Sequence, residues 1–484
     1  MPNLKCEKKM EGTKIYSLLQ ASKSLFHFPF MLSPTLTISS TLWDRLSASP
    51  KKYIHLVMIA TKPDIIKQAP LYNALKKRGE EVVLVHTGQH YDFNLSGGML
   101  EEFGLEVDIN LNISGAYYEK VAQIIDRLGG VLMHIKGLGK IPLPYIHGDT
   151  MTAMAAGNAA YGCNVGCVHN EAGIRTMTPK KEFFQKLLVE TQNFASLPTP
   201  SSLQWWFDLH KDPKNFEKGS MEPTPEQFNT RCAEPASGIF LAPVELDKQF
   251  LREEGYPENR IFVVGNSVAD ATHDVETRLI ASLPENSIFQ KYPLLKDGVL
   301  RFCIHRRENC ENEQRFRALF GAMKKCIEAG YPVLLISLHA TESAIDRFGL
   351  RDEMDALKVQ ENFIYSEVWP YYSDVIAAMK VAKAVITDSG SMQEECNILG
   401  VPCVTLRFGS DRGESFFAGG NVIAPPTSAE LVFAIVKKVV DEGLLKNAQK
   451  IYGENVSEKC VDRVLEVLNT GESVLRTEEE RIFG

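Results

Sequence analysis

The stretch 387-TDSGSMQEE-395 follows directly on the apolar run 381-VAKAVI-386. A helix that begins at Ser389 or Gly390 aims its free backbone N–H groups and positive dipole end at the strand tip, a ready site for a phosphate or pyrophosphate. Gly390 lets the backbone approach such a group closely, and Glu395, nearly two turns on, could accept both hydroxyl hydrogens of a ribose. The plainer alternative makes Asp388 or Ser389 a mere N-cap and leaves Glu394 and Glu395 solvated. A second cluster, 303-CIHRREN-309, ends a strand on His305, Arg306 and Arg307. Guanidinium groups match diphosphate oxygens bidentately, so a diphosphate is their natural partner; an exposed turn with Arg306 paired to Glu308 is the alternative. Lys62-Pro63-Asp64 with Lys67 forms a third cluster, because Pro suits a helix opening and Lys67 could reach a cleft, although ordinary solvated lysines look the same in isolation. The fourth is the pair 147-HGDT-150 and 169-HNEAGIRT-176, in which two strands run into Asp149 and Glu171. Neighbouring carboxylates in one cleft would have pKa values pushed apart, as acid/base work requires. Helix capping by Asp149 and pairing of Glu171 with Arg175 are the structural alternatives.

These clusters need elements that bring them together. Strand-length apolar runs occur at 53-YIHLVMIAT-61, 81-EVVLVHTG-88, 143-LPYIHGD-149 and 164-NVGCVHNEA-172, with helical patterns after the first, around 118–138 and over 150–162. The second half repeats the design, with strands at 261-IFVVGN-266, 299-VLRFCIHR-306, 332-PVLLISLH-339, 362-NFIYSE-367, 383-KAVITD-388 and 402-PCVTLR-407. Strands alternating with helices indicate parallel sheets covered on both faces, and ligands of such sheets bind beyond the carboxyl ends of the strands, where all four clusters fall. The expected fold class is therefore α/β, two doubly wound Rossmann-like domains with a cleft between them. The domains are placed at 53–264 and 265–450, followed by a C-terminal helix in 451–484 that packs back on the first domain. Residues 177–224 are an odd segment with the aromatic cluster Trp205-Trp206-Phe207, expected to fold locally against the first domain as a cleft lid or an oligomer contact.

Length and composition agree with this plan. At 484 residues the chain exceeds one ordinary core, and 44% apolar with 24% charged residues is usual for a soluble globular protein. A net charge of −8 argues against bulk attraction to nucleic acid or anionic lipid. The ten cysteines are scattered singly, Cys163 and Cys167 being the one close pair, as in a reduced cytosolic protein without a zinc site. Residues 1–52 are Ser- and Lys-rich; their apolar stretch 25-LFHFPFML-32 is too short to span a bilayer, and the segment reads as a weakly ordered extension or the result of an upstream start codon. No G-x-G-x-x-G follows the first strand, and neither a P-loop nor G-x-S-x-G occurs, which argues against dinucleotide redox and serine hydrolase chemistry.

Taken in order, 61-TKPDIIKQAP-70, 87-TGQH-90, 148-GDT-150, 169-HNEAGIRT-176, 225-PEQFN-229, 264-VGNSVAD-270, 305-HRREN-309, 387-TDSGSMQEE-395 and 412-RGE-414 resemble the motif series of the non-hydrolysing UDP-N-acetylglucosamine 2-epimerases over about residues 53–470. The resemblance implies a GT-B architecture, no NAD, no catalytic metal, and a cytoplasmic homodimer joined through its first domain. It implies interconversion of UDP-GlcNAc and UDP-ManNAc by elimination of UDP to a 2-acetamidoglucal and its re-addition, as a step toward polysaccharides.

Carried over by position, Asp149, Glu171 and Glu226 match acid/base carboxylates and His305 a catalytic histidine beside the leaving diphosphate. Lys67, Ser389 and Gly390 match diphosphate contacts, Glu395 the ribose ligand, and Arg412 with Glu414 a closing element. Thr61, Lys62, Arg175, Arg306, His339 and Val375 complete the UDP-sugar contacts that the resemblance implies. The chain departs from the family at several of these positions: Lys62 stands for an arginine, Val375 for a phenylalanine beside the uracil, Ser391 for a glycine, Gly413 for a proline and Thr230 for an arginine. An extra segment also separates Arg175 from Pro225. A related substrate such as a 3-acetamido uronic acid derivative, a hydrolysing epimerase that releases ManNAc and UDP, a GT-B glycosyltransferase, and an inactive UDP-sugar-binding protein are the competing readings.

Overall fold

The computed structural model describes residues 32–88, 96–191, 203–280 and 287–475. Most of 25-LFHFPFML-32, the end of 87-TGQH-90, the loop 196-SLPTPSS-202 and residues 476–484 lie outside the described residues. In chain order the strands are β1 (Thr37–Ile38), β2 (Tyr53–Ile59), β3 (Val82–His86), β4 (Ile109–Asn110), β5 (Ile141–His147), β6 (Cys167–Asn170), β7 (Met177–Pro179), β8 (Phe216–Lys218), β9 (Ser237–Ala242), β10 (Ile261–Val263), β11 (Leu300–Cys303), β12 (Val333–Ile336), β13 (Phe363–Ser366), β14 (Ala384–Thr387), β15 (Cys403–Thr405) and β16 (Asn421–Ile423).

Helices between successive strands turn the chain back, so neighbouring strands run parallel and are buried on both faces; β2 is buried from Ile54 onward. One sheet has the order β1-β4-β3-β2-β5-β6-β9-β10 and the other β13-β12-β11-β14-β15-β16. Every pairing in them is parallel except β1 with β4. The order reverses between β2 and β5 in the first sheet and between β11 and β14 in the second. At such switch points adjacent loops diverge and leave a crevice at the strand tips. Two doubly wound α/β lobes are thus present, as the alternation of strands and helices predicts.

Two expectations are corrected. Residues 32–52 are not simply a loose extension: β1 pairs antiparallel with β4, and helix Leu42–Ala48 buries Leu42 and Leu46, one turn apart, in the first lobe's core. A stripe of two leucines amid polar residues is too short a pattern to stand out. Nor does the odd segment fold mainly against the first lobe, which it touches through Lys218 with Phe250 and Glu253. β7 and β8 form an antiparallel hairpin, and Leu187, Leu203, Trp206, Phe207, Leu209 and Phe216 enter the second lobe's core. Trp206 Nε1 donates to the Ile423 carbonyl at 2.8 Å, and Ile423 N donates to His210 Nε2 at 3.1 Å. Burial pushes His210 down to about 4, so its Nε2 remains an acceptor at neutral pH. Met177 and Ser410 exchange two backbone hydrogen bonds, and Arg315 pairs with Glu222 at 3.0 Å. The segment is a strap that leaves the first lobe after β6, clasps the second, and returns at helix Glu226–Ala233.

The chain itself crosses back as well. Helix Val456–Asn469 buries Val456, Cys460, Val461 and Val464. It joins helix Lys62–Lys77 of the first lobe through Lys77–Glu458 and Arg78–Asp462 ion pairs at 2.7 and 2.6 Å. Beyond it, Val474 passes so close to β9 that a Cβ on Gly238 would lie 1.6 Å from the Val474 carbonyl oxygen; only glycine admits this approach.

Candidate active site

One crevice runs over both switch points and divides into two adjoining chambers. The larger, about 460 Å³, is polar and includes Thr61, Asp149, Glu171, Glu226, His305 and Arg412 in its wall. The smaller, about 150 Å³, is mainly apolar and includes Lys62, Arg301, Trp369, Val375 and Glu395. Lys67, Ser389 and Ser391 border both.

The first lobe supplies most of the acids. Thr61 caps helix Lys62–Lys77 in a reciprocal box with Asp64, which fixes the turn from which Lys67 reaches inward. Thr150, and not Asp149, caps helix Met151–Gly162, its hydroxyl accepting from Ala153 N at 3.1 Å. This frees the Asp149 carboxylate, whose ion-pair partner among the described residues is Arg412 at 3.9 Å. Burial, reinforced by Asp411, Glu226 and Glu171, raises the Asp149 pKa despite Arg412. Glu171 follows β6 with φ 64°, a left-handed conformation unusual for a side-chain-bearing residue. Its partners are Lys67 (2.6 Å), His147 (2.5 Å), Arg412 (3.0 Å) and Asn266 (3.0 Å), not Arg175. Burial opposes ionisation, but Lys67, Arg412 and His147 together hold Glu171 well below the usual carboxylate range. His147 in turn faces Asp64 at 2.9 Å; burial disfavours its charge, but Glu171 and Asp64 lift its pKa to about 9.

The second lobe supplies a helix end and cations. Ser389 is the N-cap of helix Gly390–Leu399, which therefore directs its first N–H groups at the point where the chambers meet. Asp388 is buried and organises the opposite loop: it accepts from the backbone of His305 and Arg306 and from Asn309 Nδ2 at 3.0 to 3.1 Å, and lies 3.0 Å from His305 Nδ1. Desolvation works against a charged His305, yet Asp388 raises its pKa to about 10. Arg306 pairs with Glu226 rather than Glu308, while Arg307 pairs with Glu311 at 3.1 Å on the exposed side. Arg412 spans the crevice, reaching Glu171 and Glu394. Glu414 accepts from the Tyr452 hydroxyl at 2.8 Å, outside both chamber walls.

Some expected contacts have other roles. Arg175 is fully occupied by Glu234 and Glu254 behind β6, with Nε 2.8 Å from Glu254, and does not line the crevice. His339 is exposed at a helix start, and Leu338 lines the apolar chamber in its place. Lys62 does border that chamber, but it donates to the Trp369 carbonyl at 2.7 Å, and burial lowers its pKa to about 8. Conversely, Glu394 is not solvated. It is 0% exposed, 2.6 Å from Lys67 and 3.0 Å from Asn266, and burial beside Glu171 raises its pKa to about 8. Glu394, His147, Asp64, Asn266 and Arg301 were not singled out by sequence. Signals existed for four of them, since Asp64, His147, Asn266 and Glu394 sit inside the quoted motifs.

Two Rossmann-like lobes meeting at their strand tips over such a crevice define a GT-B-like protein. The profile of the UDP-N-acetylglucosamine 2-epimerase family matches residues 73–187 and 217–468, and the unmatched stretch between falls within the strap. The chain belongs to this family. It is 29% identical over 384 residues to the UDP-N-acetylglucosamine 2-epimerase of Methanocaldococcus jannaschii, covering 78% of this chain and 90% of that protein. The crystal structure of the M. jannaschii UDP-GlcNAc 2-epimerase in complex with UDP-GlcNAc and UDP is similar with a TM-score of 0.68 and 26% identity, over 86% of this chain and 99% of that one. The Neisseria meningitidis enzyme bound to UDP-GlcNAc shares the fold at 24% identity and a TM-score of 0.69, over 86% and 100% of the two chains. Among the described residues no helix is long and apolar enough to cross a membrane.

Proposed function

We propose that the protein is a non-hydrolysing epimerase that interconverts UDP-GlcNAc and UDP-ManNAc. One observation carries the reading: the carboxylates of Asp149, Glu171 and Glu226 from the first lobe face a helix N-terminus and cations from the second across a single chamber. The C2 hydrogen of the sugar is not activated by a carbonyl, so its removal is feasible only as the anomeric bond breaks and the departing diphosphate is stabilised. Ser389, the start of its helix, Lys67 and His305 supply that stabilisation. As the C2–H bond breaks, its proton goes to a carboxylate and its electron pair forms the C1=C2 double bond. The C1–O bond breaks with its pair on UDP, leaving 2-acetamidoglucal. Return of UDP to C1 with protonation of the opposite face of C2 gives the epimer.

Inversion needs two proton-exchanging groups. Asp149 has a raised pKa and an open carboxylate, which suits it to one face. Glu226 stands at the start of a different helix, with Oε2 buried and unpartnered, which suits it to the other. Glu171, with both oxygens occupied, acts as a fixed negative charge beside the electron-poor anomeric carbon. Incubation with UDP-GlcNAc in deuterated water, followed by NMR, tests the proposal: both UDP-sugars should carry deuterium at C2. Free ManNAc would indicate a hydrolysing enzyme, and absence of C2 exchange would reject epimerisation.

A further inference from the structure

Arg301 is the one arginine side chain in the wall of the apolar chamber, and it sits where a charge is least expected. It belongs to β11, in the middle of the second sheet, registered between Leu334 of β12 and Val385 of β14 and followed by Phe302. The residue is 2% exposed. Its Nε and Nη1 are sealed from solvent without a hydrogen-bond partner among the described residues. The other buried guanidinium groups each have a carboxylate: Arg175 holds two glutamates, Arg412 holds Glu171 and Glu394, Arg260 pairs with Glu472, and Arg407, though its Nε and Nη2 are also sealed without a partner, pairs with Asp411. A buried cation without a partner is costly, so a group that persists in this state and faces a cavity points to a ligand that completes it.

The neighbours narrow the chemistry. Besides the Cys303 thiol, the acid that acts on Arg301 is the carboxylate of Glu395, whose Oε1 already accepts from the Tyr372 hydroxyl at 3.0 Å. Tyr372 in turn contacts Thr272 at 2.9 Å. Glu395 lies six residues beyond Ser389 on the same helix, about 9 Å deeper along its axis. With a diphosphate at the helix start, that depth corresponds to a ribose. A ribose diol offers hydrogens for Glu395 and oxygen lone pairs for a cation, and it would satisfy both side chains at once.

We propose that Arg301 is a specificity-determining residue of the nucleotide chamber, donating to the 2′-oxygen of a ribonucleoside diphosphate while Glu395 accepts from the diol. The inference rests on the nucleotide-sugar reading above and adds to it a selection of ribo- over 2′-deoxyribonucleotides. Calorimetric titration of the full chain with UDP and with 2′-deoxy-UDP tests it. The wild type binds UDP at least about tenfold more tightly, because the deoxy ligand leaves a buried charge unanswered. R301M removes the charge at similar volume. It should bring the two affinities within about threefold of each other while raising the melting temperature of the ligand-free protein, the reverse of what a structural arginine would do. Equal binding of both ligands by the wild type overturns the inference without recourse to any variant. So does an R301M protein that keeps the wild-type ratio, or one that weakens both ligands equally, the sign of a contact to uracil. If the wild type binds neither ligand, the nucleotide reading itself falls; if it binds UDP but fails the ratio test, only the role of Arg301 does.

Discussion

On the polar side of Lys67 the crevice wall is crowded with charge, and nearly every charge has an answer: Glu171 is held by three cations and Asn266, and His305 and the start of the next turn by Asp388. On the side proposed for the nucleotide the wall is apolar, and its few polar groups include Arg301, with two unpartnered nitrogens, and Glu395, engaged by Tyr372. The contrast separates two ways of using polarity. Interlocked charges hold a preset electrostatic field and change little during a reaction, so the proposed proton exchange is assigned to Asp149 and to the unpartnered Oε2 of Glu226. Isolated polar groups in an apolar wall act as readers, because each is costly until the right ligand arrives.

From that division the largest effect is D149N, expected to lower C2 exchange about 10³-fold while changing UDP affinity less than about threefold. Parallel losses of exchange and affinity would erase the distinction between the chambers. Next is E395Q, expected to weaken UDP about 10- to 30-fold with turnover at saturating substrate nearly intact. The chambers should also respond oppositely to pH. Burial holds the Glu395 pKa near 7, so UDP affinity declines as pH falls through that value and the carboxylate gains a proton. His305 is charged up to about pH 10, so turnover declines as pH rises toward it. D388N removes the cause of that elevation and should move the alkaline limb down toward the ordinary histidine range near 6.5; titrations and pH–rate profiles read both. The smallest effect is W206F, which deletes the donor to Ile423 and should cost about 1 kcal/mol of stability in denaturant melts, leaving affinity and exchange unchanged. A change in either would make the strap part of a chamber.

Much of the site was legible because parallel α/β sheets put function at strand tips, and tips can be found from apolar runs that end in polar residues. Asp149, Glu171, His305 and Ser389 were found this way, and they face one crevice. What pairs with what was less legible. Arg175 and Glu171 are close in sequence, yet Arg175 turns to Glu234 and Glu254, which are brought in by later segments. Glu394 and Glu395 are adjacent on a helix and point in different directions; both are buried only because helix Gly390–Leu399 is enclosed nearly all round, which no single face of its sequence announces. The aromatic patch of the strap declared that it would be buried but not against which lobe. Arg301 was read as part of an apolar strand, since one charge does not interrupt such a run.

The strap's grip on Ile423 has a consequence beyond the crevice. β16 is the outermost strand of the second sheet, and an outermost strand with vacant amides and carbonyls is a template on which another chain can polymerise. Here an indole and an imidazole occupy the groups of Ile423 that a stranger would seize. These two rings therefore close the outer edge of β16 at Ile423, leaving that residue no backbone group with which to extend the sheet.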